Sequence, residues 1–93
     1  MIIAVDYDGT LLVDGKVNTV LIQKLKSAQR SGAIIILWSC REGGRLMEAV
    51  QNCAQHGLVF NCINENCPQA ISMLGGNPRK VFADVYIDDK AGI

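Results

Sequence analysis

No apolar run in this 93-residue chain approaches the roughly 20 residues that span a bilayer. No basic leader opens it either: Met1-Ile2-Ile3-Ala4-Val5 reaches Asp6 too soon for a secretory signal. A charge bias is missing as well. Nine Lys and Arg balance nine Asp and Glu, and no basic stripe forms. Broad attraction to nucleic acid or to an anionic membrane is therefore not expected, although a few placed arginines can still hold one phosphate. The four cysteines, at 40, 53, 62 and 67, include no Cys-x-x-Cys pair. Neither a zinc site nor a disulfide framework is expected; reduced thiols in a soluble, cytoplasmic protein are.

What is present suits one core. Apolar residues make up 49% and charged residues 19%, a balance that argues against disorder. A chain of this length forms a single domain, 1–93, burying roughly two-thirds of its unfolded surface.

Ile2–Val5 is a short apolar run ended by Asp6, which predicts a buried strand. Asp14-Gly15, flanked by Leu11-Leu12-Val13 and Val17, suits a tight hairpin. Asn18 or Thr19 can cap a helix with Val20, Leu21, Leu25 and Ala28 on one face and Gly32 at its end. Ala33–Trp38 is expected to be a strand covered on both faces. After the Ser39–Gly44 loop, a second helix gathers Leu46, Val50, Cys53 and Ala54 and stops near His56-Gly57. Leu58–Ile63 is expected as the third strand. Pro68 opens a short helix that Gly75-Gly76 ends, and Val81–Ile87 closes the pattern as strand, in one piece or two. This alternation predicts an α/β fold: a three-layer, Rossmann-like parallel sheet with helices on both faces. Ligands bind such sheets at the carboxyl ends of the strands. Here those ends carry Asp6, Ser39, Asn64 and Asp88-Asp89.

Asp6 and Asp8 stand two residues apart, a spacing that points both the same way on a straight strand. Any one of these acids alone reads as a strand-end cap. Three or four at one edge repel one another, and a bound divalent cation resolves the repulsion. Oxygen-only ligands with open positions suit magnesium.

Val5-Asp6-Tyr7-Asp8-Gly9-Thr10-Leu11 resembles the first motif of the haloacid dehalogenase superfamily, an apolar strand followed by Asp-x-Asp-Gly-Thr. Ile34–Trp38 followed by Ser39 resembles its second motif, and Tyr86-Ile87-Asp88-Asp89 its fourth. They stand in the family's order and cover nearly the whole chain. The resemblance implies a small, capless, magnesium-dependent phosphohydrolase acting on a small phosphorylated substrate. It implies that Asp6 attacks phosphorus and forms an aspartyl-phosphate. Asp8 would protonate the leaving oxygen and then activate water. Ser39 would donate to a phosphoryl oxygen, with Gly9 and Thr10 beside the substrate. Magnesium would be held by Asp6, Asp88 and the backbone carbonyl of Asp8, with Asp89 holding a metal-bound water or tethering the loop.

The family's third motif is a lysine, and the stretch Asn64-Glu65-Asn66-Cys67-Pro68 has none. Lys80 is the candidate. Eight residues of straight strand span about 26 Å, so Lys80 reaches the site only if the chain turns near Ala83-Asp84, leaving a short Val85–Ile87 strand. The run from Lys80 to Asp89 is similar to the ending of deoxyribonucleotidase-like members, which points to a nucleotide or another small phosphomonoester. Lys90 is the alternative lysine. Arg41 opens the second helix beside the site and can hold a substrate phosphate or carboxylate; Arg45 reads as a surface partner of Glu42. His56 reads as a helix cap. Tyr7 and Trp38 are candidate walls, although a Trp at the position of Trp38 is more often a core residue.

Two alternatives stay open. One is a receiver-like phospho-accepting domain, against which the third strand ends in Ile63-Asn64 rather than Asp. The other is a module that binds metal or a phosphorylated ligand without turnover. The chain stops four residues after Asp89, so either a fragment or a homo-oligomer covering its own edge is expected.

Overall fold

The computed structural model of the protein describes residues 1–77 and 81–88. In chain order its elements are β1 (Ile2–Val5), β2 (Leu12–Val13), β3 (Lys16–Val17), α1 (Thr19–Arg30), β4 (Ile34–Leu37), α2 (Gly43–Gln55), β5 (Cys62–Ile63), α3 (Pro68–Leu74) and β6 (Val85–Ile87). Four strands form one parallel sheet in the order β5-β4-β1-β6. The chain steps outward from β1 to β4 to β5, then crosses back to lay β6 on the other side of β1. That reversal is a topological switch point, which opens a crevice at the carboxyl ends of the strands.

The two-residue period of the strands sorts the core into two halves. Ile3, Val5, Ile35 and Leu37 pack with Leu21, Ile22 and Leu25 of α1 and with Ala49 and Cys53 of α2. Ile2, Ala4 and Ile36 pack on the other side with Ala70 of α3 and with Val81 and Ala83. Two helices therefore cover one face and the third covers the other, the three layers that the alternation predicts.

Local chemistry explains most of the boundaries. Asp14 and Gly15 take positive φ values of 52° and 75°, the geometry of a tight primed turn, and join β2 to β3 as an antiparallel hairpin. The Asn18 side chain accepts the Leu21 N–H at 3.2 Å and caps α1. Pro68 sits in the first turn of α3, and Gly75, at φ 72°, ends it.

Four details differ from expectation. Val20 is 65% exposed while Ile22 is fully buried; the two stand about 200° apart around a helix, so burying one exposes the other. Ala54 is exposed beside buried Cys53. The third strand is confined to Cys62–Ile63, although Leu58 and Phe60 are buried. There the Asn61 side chain, rather than a strand carbonyl, accepts the Ile35 N–H at 2.8 Å, so the regular ladder starts later. Finally, Cys62 and Cys67 form a disulfide, whereas Cys40 and Cys53 are free. The bridge joins the edge strand β5 to the residue capping α3 and corrects the expectation of four reduced thiols. Cysteine usage therefore no longer argues for a reducing compartment. Among the described residues no helix is long and apolar enough to cross a membrane.

Candidate active site

The carboxyl ends of the strands are knitted together by the residues that follow them. The Asp6 N–H donates to the Ile87 carbonyl at 2.9 Å, and the Trp38 N–H donates to the Val5 carbonyl at 2.9 Å. The Asn64 N–H donates to the Leu37 carbonyl at 2.8 Å. Each bond extends a parallel ladder by one step and fixes the first polar residue beyond it.

Asp6, Ser39 and Asp88 line one cavity of about 440 Å³, a size that fits a small metabolite. Trp38 and Tyr86 supply its aromatic walls, and Ala4 and Val81 of the second core face it. Trp38 is 40% exposed, so it belongs to the site and not to the core. Tyr7 is the reverse: it is fully buried in the first core, with its hydroxyl accepting from the Asn52 side chain at 3.1 Å.

Asp6 is partly buried, and its own Oδ1 accepts the Tyr7 N–H at 2.9 Å. That bond orients the carboxylate at the start of the loop. Ser39 is held twice. Its N–H donates to the Asn64 side-chain oxygen at 2.7 Å, and its Oγ accepts the Arg41 N–H at 3.1 Å. Ser39 is therefore both a turn residue and a cavity wall.

Asp8 points elsewhere. Its carboxylate accepts two parallel hydrogen bonds from Arg41, Nη2 to Oδ1 at 2.8 Å and Nε to Oδ2 at 2.9 Å. These bonds hold the Asp8 carboxyl below its ordinary range, and the Arg45 charge adds to the effect. Arg41 also lies over the Tyr7 ring at 4.7 Å, a cation–π contact. Gly9 serves the backbone, turning at φ 81° with its N–H on the Leu12 carbonyl at 2.8 Å. Thr10 is buried, and its Oγ1 has no hydrogen-bond partner among the described residues.

The candidates therefore fall into two groups. Asp6, Ser39 and Asp88 come together at the cavity, while Asp8, Arg41, Gly9 and Thr10 form the adjoining turn and its ion pair. Lys80, Asp89 and Lys90 lie outside the described residues. Within the described residues, β6 is the short strand Val85–Ile87, and the Asp84 N–H donates to the Ile2 carbonyl at 2.8 Å. The Tyr86 hydroxyl donates to the Val81 carbonyl and accepts the Ala83 N–H, folding that segment back, and Val81 lines the cavity.

Among the described residues no group of three or more His, Cys, Asp or Glu side chains clusters closely enough to hold a metal ion. The donors that line the cavity, Asp6 and Asp88, are oxygen ligands of the kind magnesium takes. Magnesium keeps several waters and needs only one or two carboxylates, so this pair fits it.

Sequence reasoning missed two contributors. The Asn64 side chain positions Ser39, and the signal for it was an Asn directly after a strand. The Tyr86 hydroxyl shapes the segment behind the cavity, and nothing in the local pattern marked it.

No family model matches the chain, and no curated protein matches it. Among solved structures it is similar to a conserved protein of Bacteroides thetaiotaomicron, with a TM-score of 0.84 and 38% sequence identity. That match covers all of this chain and 80% of the other, so the two share both fold and ancestry. The chain belongs to the same family as that Bacteroides protein.

Proposed function

We propose that the protein is a magnesium-dependent phosphohydrolase of the haloacid dehalogenase type, acting on a small phosphomonoester. One observation carries this reading: Asp6 and Asp88, from opposite ends of the chain, line the same cavity together with Ser39. A strand-end acid that merely caps a loop needs no such company.

Asp6 attacks phosphorus, forming a new O–P bond as the bond from phosphorus to the leaving oxygen breaks. Asp8 gives that oxygen a proton. Water then attacks the aspartyl-phosphate, its proton passes to Asp8, and the O–P bond to Asp6 breaks, which restores both acids. Ser39 steadies a phosphoryl oxygen, and Lys80 is the expected cation for the remaining charge. Magnesium held by Asp6 and Asp88 would offset the negative charge that otherwise keeps nucleophile and phosphate apart. The cavity volume of about 440 Å³ favours a metabolite-sized substrate such as a nucleotide, shielded by no further domain among the described residues.

The test is hydrolysis of an aryl phosphate at near-neutral pH, with and without magnesium, by the wild-type protein and by Asp6→Asn. Turnover that requires magnesium and vanishes in Asp6→Asn is expected. Turnover that persists in Asp6→Asn sinks the proposal.

A second reading, ligand binding without turnover, has one observation in its favour. Asp8 is held by Arg41 and, held that way, has no proton to give. Substituting Asp8 separates the two: Asp8→Asn loses turnover in a hydrolase, whereas a binding module has none to lose and keeps its ligand.

A further inference from the structure

Arg41 is fixed in place by more than its ion-pair partner. Its guanidinium lies over the ring of Tyr7, 4.7 Å from the centroid, and Tyr7 is itself fully buried and tied to Asn52. A third nitrogen, Nη1, donates to the Arg45 carbonyl at 3.3 Å. The Arg41 side chain is only 11% exposed. The fork is therefore held from beneath and from the side by groups other than Asp8.

Its two other nitrogens, Nε and Nη2, donate to the two oxygens of Asp8 at 2.9 and 2.8 Å. Asp8 is the loose half of the pair, at 54% exposure and next to the Gly9 turn. An exposed ion pair holds weakly against competition in water, while a planar fork accepts a carboxylate or a phosphate equally well. The loop that carries the fork is also the cavity wall: Ser39 and Cys40 line the cavity, and the Ser39 Oγ accepts the Arg41 N–H at 3.1 Å.

We propose that Arg41 receives a second anionic group of the substrate, a carboxylate or phosphate remote from the phosphoryl group that reacts. Its arrival displaces Asp8, and the freed side chain turns to the cavity. Substrate thus releases the acid–base residue that the resting protein keeps occupied. The preferred substrates are phosphomonoesters that carry a second anion. This inference rests on the phosphohydrolase reading and adds a substrate class to it.

The test compares three aryl phosphates with magnesium: phenyl phosphate, the same ester bearing a ring carboxylate, and the same ester bearing a second phosphate. Wild-type kcat/KM is expected to be at least tenfold higher for one or both doubly anionic esters, and which of them gains identifies the second group. In Arg41→Gln the advantage collapses to near unity. The same order is expected in the affinities of the three esters for Asp6→Asn, measured by calorimetry. Equal kcat/KM for all three esters in the wild type overturns the proposal, as does a preference that survives in Arg41→Gln. If the wild type hydrolyses none of the three, the phosphohydrolase reading falls, and the receptor is judged on affinity alone. An affinity order lost in Arg41→Gln then supports it, and the absence of any order overturns it.

Discussion

The side-chain oxygen of Asn64 accepts the Ser39 N–H at 2.7 Å, binding the ends of β5 and β4 just past the point where their ladder stops. Asn64 does this from the left-handed region, at φ 54°, which asparagine tolerates better than most residues. Asn64→Ala leaves the Ser39 N–H without its acceptor and keeps the unfavourable backbone. A loss of about 1–3 kcal/mol is expected, read from urea unfolding, together with a fall in turnover because Ser39 shifts. Asn64→Asp keeps the acceptor and should lose less. Equal losses in the two variants would contradict this role.

The Asp8–Arg41 pair predicts a pH dependence of known sign. Arg41 lowers the folded-state value of Asp8 from its ordinary 3.8, so the pair adds stability above the unfolded carboxylate range. That stability is lost as pH falls through the lower folded value. Wild-type protein should therefore lose slightly more stability than Arg41→Gln between about pH 5 and pH 2. The difference is small because Asp8 is more than half exposed. Carboxyl NMR should find Asp8 titrating below 3.8 in the wild type and nearer to it in Arg41→Gln; identical midpoints would rule the pairing out in solution.

Thiol counting tests the bridge and the core together. Cys40 is exposed, while Cys53 is fully buried and its thiol is pushed up to about 11 by that burial. One fast-reacting thiol is expected in the native, unreduced protein, a second on denaturation, and two more only after reduction. Four reactive thiols in unreduced, denatured protein would show that Cys62 and Cys67 are not bridged.

The orientation of α1 can be checked by truncation. Leu25→Ala, at a site 2% exposed, should cost about 2–5 kcal/mol. Val20→Ala, at a site 65% exposed, should stay within about 0.5 kcal/mol. Comparable losses would mean that the helix buries another face.

The alternation of apolar runs with Gly, Pro and Asn punctuation carried the layer order, the hairpin and the helix caps into plain view, because each rests on local chemistry. The strand-end acids were legible for the same reason, and Asp6 and Asp88 do meet at one cavity. What escaped depends on contacts distant in the chain. Tyr7 was read as a possible wall, but its ring is claimed by the core and its hydroxyl by Asn52, 45 residues away. The Asp8 carboxylate was aimed at the site by strand geometry. Gly9 turns the chain there, and Arg41, 33 residues on, captures it. The Cys62–Cys67 bridge follows from the turn between β5 and α3, which spacing alone does not reveal.

Strand β6 reaches β1 only after the chain has crossed the whole sheet, so 82 residues separate Asp6 from Asp88. Contacts this far apart in sequence form late, since loop closure must come first. Until β6 docks, β1 keeps one open edge and the cavity lacks Asp88, one of the two carboxylates that line it among the described residues. Under the proposed phosphohydrolase reading, a nascent or locally unzipped molecule would be chemically silent, and competence would arrive in the same event that pairs β6 with β1. On that reading turnover would report the docking of β6, rising only as this strand pairs with β1.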